Sequence, residues 1–248
     1  MESAPGMRFG TAADEYHRLR PRPPEATVDW LVGSGLGENI DVAVDLGAGT
    51  GLFTEPLSRR VGTVFAVEPD PAMRARLAQH CPGVTVLDGS AEHIPLPDDS
   101  VRAVFSNSAW HWADPLLAVP EIARVLTPGG VLGVSWSMPD RRMGWRAKLD
   151  EITWRTGEPG RGPGRFELPA GAPFGPPEEL VHSWRMRMTV DELVASLGTY
   201  DHVLALSEVD RAAVLEDART YLNGNPATSR GVIDVPFRTA CFRTTYLG

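Results

Sequence analysis

Two carboxylates and three glycines carry the clearest chemistry in this 248-residue chain. Asp45 stands two residues before Gly47, and Gly47, Gly49 and Gly51 alternate with Ala48 and Thr50. The apolar run Val42-Ala43-Val44 leads into them, as in a buried strand that ends in a glycine turn and opens a helix. Gly47 and Gly49 allow a sharp turn and a close backbone approach to a ligand, and Gly51 is expected to relieve packing between that helix and the strand. A dinucleotide fingerprint, G-x-G-x-x-G, places a pyrophosphate on the helix N-terminus. Here the third glycine comes one residue early and Leu52 takes its place. Asp45 would also repel a phosphate by ~4 kcal/mol at ~4 Å near a protein surface. It would attract an ammonium. Glu68 closes a second apolar run, Thr63 to Val67, at the separation where an acid reaches a ribose hydroxyl in a βαβ unit. A cofactor with a nucleoside and a positive charge fits both acids.

Four stretches in register then resemble one family. Val44-Asp45-Leu46-Gly47-Ala48-Gly49-Thr50-Gly51 and Ala66-Val67-Glu68-Pro69-Asp70 resemble the first two motifs of class I S-adenosylmethionine-dependent methyltransferases, of the small-molecule, type 11 kind. Gly89 to Ser100 is similar to the adenine loop, and Glu121 to Gly130 to the helix and turn before strand five. The resemblance covers roughly residues 40 to 137. It implies S-adenosylmethionine as cofactor, held by Asp45, Gly47, Ala48, Gly49, Glu68, Pro69, Ser90, Ala91, Glu92 and Asn107. Ser90 stands where the family's adenine loop usually has Asp, and Arg102 where its fourth strand usually begins with Asp. Phe9 to Pro24 resembles a leader that covers the cofactor, which would bring Tyr16 and Arg20 to its methionine end.

These residues need a scaffold of alternating strands and helices. Helices are expected over 51–60 and 71–80, the second with Asp70 as cap and Pro71 in first position, and strands over 84–87, 101–106 and 130–137. A helical stretch opens at Asp114 and Pro115, with Pro120 expected to kink or restart it. Trp145, Leu149 and Ile152 share a helical stripe, and 157–177 is dense in glycine and proline, as in a lid. A strand over 181–188, a Thr189/Glu192 capping pair, a helix over 208–221 and a final strand over 235–246 complete the chain. The fold class is α/β, a Rossmann-like doubly wound sheet, mostly parallel. By resemblance the final strand is antiparallel. Four segments follow: a cofactor-covering segment 1–38, a cofactor-binding core 39–138, a lid or insertion 139–180, and 181–248 completing the sheet and the substrate side.

Composition bounds the partners. A formal net charge of -8 argues against nucleic acid as substrate. Cys81 and Cys241 have no metal spacing, so no metal site is expected and a reducing cytoplasm is the expected compartment. No run reaches membrane-spanning length. The oligomeric state is left open.

Methyl transfer is an in-line displacement, in which positioning supplies most of the effect. A base is needed only where the acceptor loses a proton. His111, in Ser106-Asn107-Ser108-Ala109-Trp110-His111-Trp112, follows strand four and is either that base or a packed pocket wall. Trp110, Trp112, Trp136 and Trp145 are candidates for an apolar acceptor pocket, with core packing as the other reading. Arg141, Arg142 and Arg146 would receive a substrate carboxylate or form a solvated face. The expected activity is methyl transfer to a small molecule, at oxygen or a carboxylate. The competing readings are a catalytically idle S-adenosylmethionine-binding module and a nicotinamide-dependent oxidoreductase.

Overall fold

Short β-branched runs separated by capped helices build a single seven-stranded sheet. The computed structural model describes residues 13–33, 40–154 and 166–248. The strands β1 (Val42–Leu46), β2 (Thr63–Val67), β3 (Thr85–Leu87), β4 (Val101–Asn107), β5 (Leu126–Pro139), β6 (Glu178–Thr189) and β7 (Val232–Thr245) lie in the order 3-2-1-4-5-7-6. β1 to β5 pair in parallel, and β7 runs antiparallel to both β5 and β6. This is the expected α/β class, with its antiparallel final strand inserted between β5 and β6.

The helices are α1 (Ala13–Leu19), α2 (Glu25–Val32), α3 (Thr54–Ser58), α4 (Pro71–His80), α5 (Pro115–Val125), α6 (Gly144–Thr153), α7 (Val190–Leu197), α8 (Asp201–Leu204) and α9 (Glu208–Gly224). One face of the central strands buries Val44, Val104 and Leu132 against Ile122 of α5. The other buries Ala43 and Phe105 against Leu31 of α2 and Leu57 of α3. A further core joins Leu149 of α6 to Leu193 of α7, Leu222 of α9 and Val235 of β7.

Local signals explain where the elements begin. Asp70 caps α4 by accepting from the Ala72 and Met73 amides, with Pro71 in first position as expected. Thr189 and Glu192 form the reciprocal capping box that starts α7. Three expectations are corrected. The helix expected over 51–60 shrinks to α3, because Gly51 sits at φ +91, outside helical space. A Cβ on Gly51 would meet Cys81 and Leu77, so that glycine relieves packing against α4 rather than against the strand. Pro120 does not break α5; it lies on the exposed face beside Leu116, whose carbonyl it leaves without an amide donor.

Part of the expected lid, and residues 1–12 of the leader and first segment, lie outside the described residues. The part from 166 to 177 is anchored: Phe166 and Phe174 are buried, and Phe174 bridges to Tyr246.

Candidate functional site

The strand order reverses direction between β1 and β4, and the carboxyl ends of these strands open a crevice there. A cavity of about 610 Å³ fills it, lined by all twelve residues expected to hold a cofactor: Tyr16, Arg20, Asp45, Gly47, Ala48, Gly49, Glu68, Pro69, Ser90, Ala91, Glu92 and Asn107. The glycine turn makes this possible. Gly47 and Gly49 adopt φ +71 and +57, which disfavour any side chain. A Cβ on Gly47 would lie 2.5 Å from the Ala109 Cβ, whereas one on Gly49 meets nothing within 4 Å. The backbone at Gly49 is therefore open to a ligand.

Three carboxylates line the cavity, and each is held in place. Glu68 Oε2 accepts from the Gly49 amide and Oε1 from the Asp70 amide, both at 2.9 Å, which leaves further lone pairs directed outward. Burial raises its pKa, against the pull of these two amides. Glu92 Oε1 accepts from the Asp114 amide at 2.8 Å. Asp45 is fully buried and accepts from the Thr54 hydroxyl at 2.6 Å. Burial pushes its pKa up to about 7; the Thr54 hydrogen bond opposes this and the charge of Glu68 adds to it. Among the described residues no cation pairs with Asp45.

The leader crosses the turn. His17 Nδ1 lies 3.0 Å from Thr50 Oγ1, and its ring stacks on His80 at 3.6 Å. This places Arg20 between the rings of Tyr16 and Tyr200, at 4.8 and 4.0 Å, with Nη2 donating to the Thr199 carbonyl and Nε buried without a partner among the described residues. Sequence reasoning missed Thr54 and Tyr200. Thr54 carries no signal beyond its place in the turn, and Tyr200 lies 180 positions from Arg20.

The far end of the cavity is walled by Trp110, Trp112 and Ser137. His111, in the 3-10 turn Trp110–Trp112, is not among the lining residues. Its Nδ1 accepts from Trp136 Nε1 at 3.2 Å, and an indole nitrogen can only donate. Burial, the largest cause, pushes its pKa down to about 4; the charge of Asp201 opposes this and that of Arg20 adds to it. The neutral ring therefore keeps its proton on Nε2 and presents a donor there. Trp136 lies behind the wall, against Phe242. Trp145 packs with α7 and α9, outside the cavity, because it shares the apolar stripe of α6 with Leu149 and Ile152. The three arginines divide as well. Arg142 is exposed and paired with Asp140, Arg141 is exposed and paired with Asp150, and Arg146 is buried.

The arrangement has counterparts among known proteins. Residues 44–134 match the family described as "Methyltransferase domain". An uncharacterized methyltransferase from Mycobacterium tuberculosis is 38% identical over 241 residues, 96% of each chain. A malonyl-[acyl-carrier protein] O-methyltransferase from Methylococcus capsulatus is 37% identical over 153 residues, 57% of this chain and 56% of that one. A solved structure from Anaeromyxobacter dehalogenans, provisionally described as a type II methyltransferase, has a TM-score of 0.61 at 26% identity, covering 91% of this chain and 96% of its own.

Proposed function

The chain belongs to the class I S-adenosylmethionine-dependent methyltransferases, and from that premise we propose that it methylates a small organic acid at a carboxylate oxygen. The observation that carries this reading is the hydrogen bond from Trp136 to His111 Nδ1. It turns the histidine behind the tryptophan wall into a donor, and the cavity's three carboxylates are each engaged by an amide or a hydroxyl. A hydroxyl acceptor would need a base, whereas a carboxylate at neutral pH is already an anion. The partial likeness to a malonyl-[acyl-carrier protein] O-methyltransferase supports the same acceptor atom.

The cavity suits the cofactor. Asp45, buried without a cation, would hold the ammonium, Glu68 the ribose hydroxyls, and the open backbone at Gly49 would lie against the ligand. The unpaired Arg20 Nε would take the methionine carboxylate. When bound, S-adenosylmethionine supplies an electrophilic methyl on a sulfonium. The chain's own work is to bind, align and exclude water: Trp110 and Trp112 wall the acceptor, and the leader helix α1 crosses the turn.

Incubation with S-adenosylmethionine and a matched panel of carboxylic acids, alcohols, phenols and amines, read by mass spectrometry, tests the reading. Methylated acids that lose the methyl in mild alkali are expected. Transfer confined to phenols or amines would overturn it.

A further inference from the structure

Among the rings at the acceptor end stands a polar side chain that the cofactor does not claim, Ser137 of β5, which lines the cavity. β7 lies between β5 and β6, and its register sets Thr239 opposite Ser137 on one side and His182 on the other. The Ser137 and Thr239 hydroxyl oxygens are 2.9 Å apart, and Trp184 Nε1 donates to Thr239 Oγ1 at 2.8 Å. Trp184 stacks on Phe237 at 4.9 Å and is not a lining residue.

A hydroxyl has one hydrogen and two lone pairs, and an indole N–H can only donate. Trp184 therefore occupies one lone pair of Thr239. Thr239 is 0% exposed, so its hydrogen needs an acceptor inside the protein, and among the described residues Ser137 Oγ is the one within reach. The order of donation runs from Trp184 to Thr239 to Ser137. Ser137 accepts, and its own hydrogen is left for the cavity. The end of β4 is ordered in the same way: Ser135, also 0% exposed, gives its hydrogen to Asn107 Oδ1 at 2.9 Å, which leaves Nδ2 as the donating atom of that amide.

A donor fixed by buried partners selects what it can face. A neutral amine has one lone pair, and a donor facing it ties up the pair that must attack. An ionised carboxylate only accepts, and it has a second oxygen to spare. We propose that the Ser137 hydroxyl holds the non-attacking carboxylate oxygen of the acceptor, with Thr239 and Trp184 as positioning residues that aim it. This rests on the carboxylate reading above. In the transfer the other oxygen forms the new bond to the methyl carbon, the electrons of the methyl–sulfur bond stay on sulfur, and the sulfonium becomes a neutral sulfide. No proton moves, and the hydrogen bond on the second oxygen fixes which oxygen faces the methyl.

The test is steady-state transfer by the full chain from S-adenosylmethionine to benzoate, phenylacetate, cinnamate and hexanoate, read as methyl ester by mass spectrometry, with calorimetry of S-adenosylhomocysteine beside it. The parent esterifies at least one of these acids. Ser137→Ala loses on the order of tenfold in kcat/KM for that acid, chiefly through KM, because hydrogen bonds to charged groups are the strong ones. Its S-adenosylhomocysteine affinity stays within the parent's range, and Ser137→Thr, with the hydroxyl restored, recovers part of the loss. Trp184→Phe lies outside the cavity, frees Thr239 to accept from Ser137, and loses a few-fold in the same direction. On the Ser137→Ala background the same change costs nothing further, a non-additivity that a merely structural tryptophan does not show. Should Ser137→Ala fail to fold, Trp184→Phe carries the test alone, and a parental kcat/KM there overturns the proposal. Parental kcat/KM in Ser137→Ala, or additive losses in the double variant, overturns it and leaves the carboxylate reading standing. No ester from any of these acids also overturns it, and the broader panel of acids, alcohols, phenols and amines then decides whether the carboxylate reading falls with it.

Discussion

The two ends of the cavity differ in kind: one is lined by charged groups, the other by aromatic rings. At the β1–β2 end the charges are negative and already engaged: Glu68 by two backbone amides, Asp45 by Thr54. At the other end the walls are aromatic, Trp110 and Trp112, with the neutral ring of His111 held by Trp136 behind them. The first end is rigid because neighbours along β1, β2 and the turn build it. The second is assembled from segments far apart in the chain, Trp110 and Trp112 from the turn after β4, Ser137 and Trp136 from β5. Breaking each end should therefore have a different signature.

The largest effect is expected at the turn. Gly47→Ala forces a side chain into left-handed space and against Ala109 at 2.5 Å, with no flexible atom to yield. The strain alone costs ~1 to 2 kcal/mol, and the clash displaces the loop. S-adenosylhomocysteine affinity should fall by ~100-fold or more, and the melting temperature with it. Gly49→Ala has the same strain and no clash, so its stability loss should be smaller. Calorimetry and thermal melts on the pair separate the two terms; equal losses would mean that the contact with Ala109 is unimportant.

Glu68→Gln comes next. An amide cannot accept from both Gly49 and Asp70 with the geometry of a carboxylate, and one buried N–H would face another donor. The cost is ~1 to 3 kcal/mol, or ~5- to ~150-fold in cofactor affinity. The acceptor end should be untouched, as judged by the single-turnover rate with a carboxylate acceptor once the cofactor is saturating.

These contrasts also explain what could be read in advance. Asp45, the glycines, Glu68 and the Asp70–Pro71 cap are local patterns whose chemistry follows from spacing within one βαβ unit, and Asp45, Gly47, Gly49 and Glu68 all line the cavity. The acceptor end was legible only as residue types. Nothing in the spacing of Trp136 and His111 tells that one donates to the other across 25 positions, and so the residue types leave both a general base and a pocket wall open. Trp145 was misplaced for a related reason: an apolar helical stripe looks alike whether it faces a pocket or a core, and the partner helices α7 and α9 decide. Arg146 is set apart from Arg141 and Arg142 only by the turn of α6 that buries it.

A third prediction uses pH to distinguish the ends. Asp45 has a folded pKa of about 7, raised from 3.8 by burial. Folding therefore favours its protonated form, and this group's contribution to stability is present below about 3.8 and is lost as pH rises through about 7. Binding a cation runs the other way, because only the ionised carboxylate attracts an ammonium. Cofactor affinity should weaken as pH drops below about 7, by up to ~tenfold per pH unit until the bound-state pKa is reached. Asp45→Asn should flatten this slope. A parent protein whose affinity is constant from roughly pH 8 to 5.5 would show that Asp45 is not facing the ammonium.

The smallest effect, and the sharpest test of the acceptor end, is Trp136→Phe. The substitution keeps an aromatic ring beside Phe242 and removes only the N–H that His111 Nδ1 accepts. Its stability cost should be ~0.5 to 1.5 kcal/mol. In the parent, nitrogen NMR of His111 should show a neutral ring protonated on Nε2 across the physiological range, because its pKa lies at about 4, and protonating it at lower pH should destabilise the fold. In the variant the ring is free to exchange between tautomers. If His111 orients an acid through Nε2–H, the single-turnover rate with a carboxylate acceptor falls only a few-fold, since part of the population keeps the right proton. If His111 is a base, freeing Nδ1 lets the basic tautomer form at Nε2, and the rate rises with a pH dependence that follows the imidazole. The direction of that change decides whether this histidine gives a hydrogen bond or takes a proton.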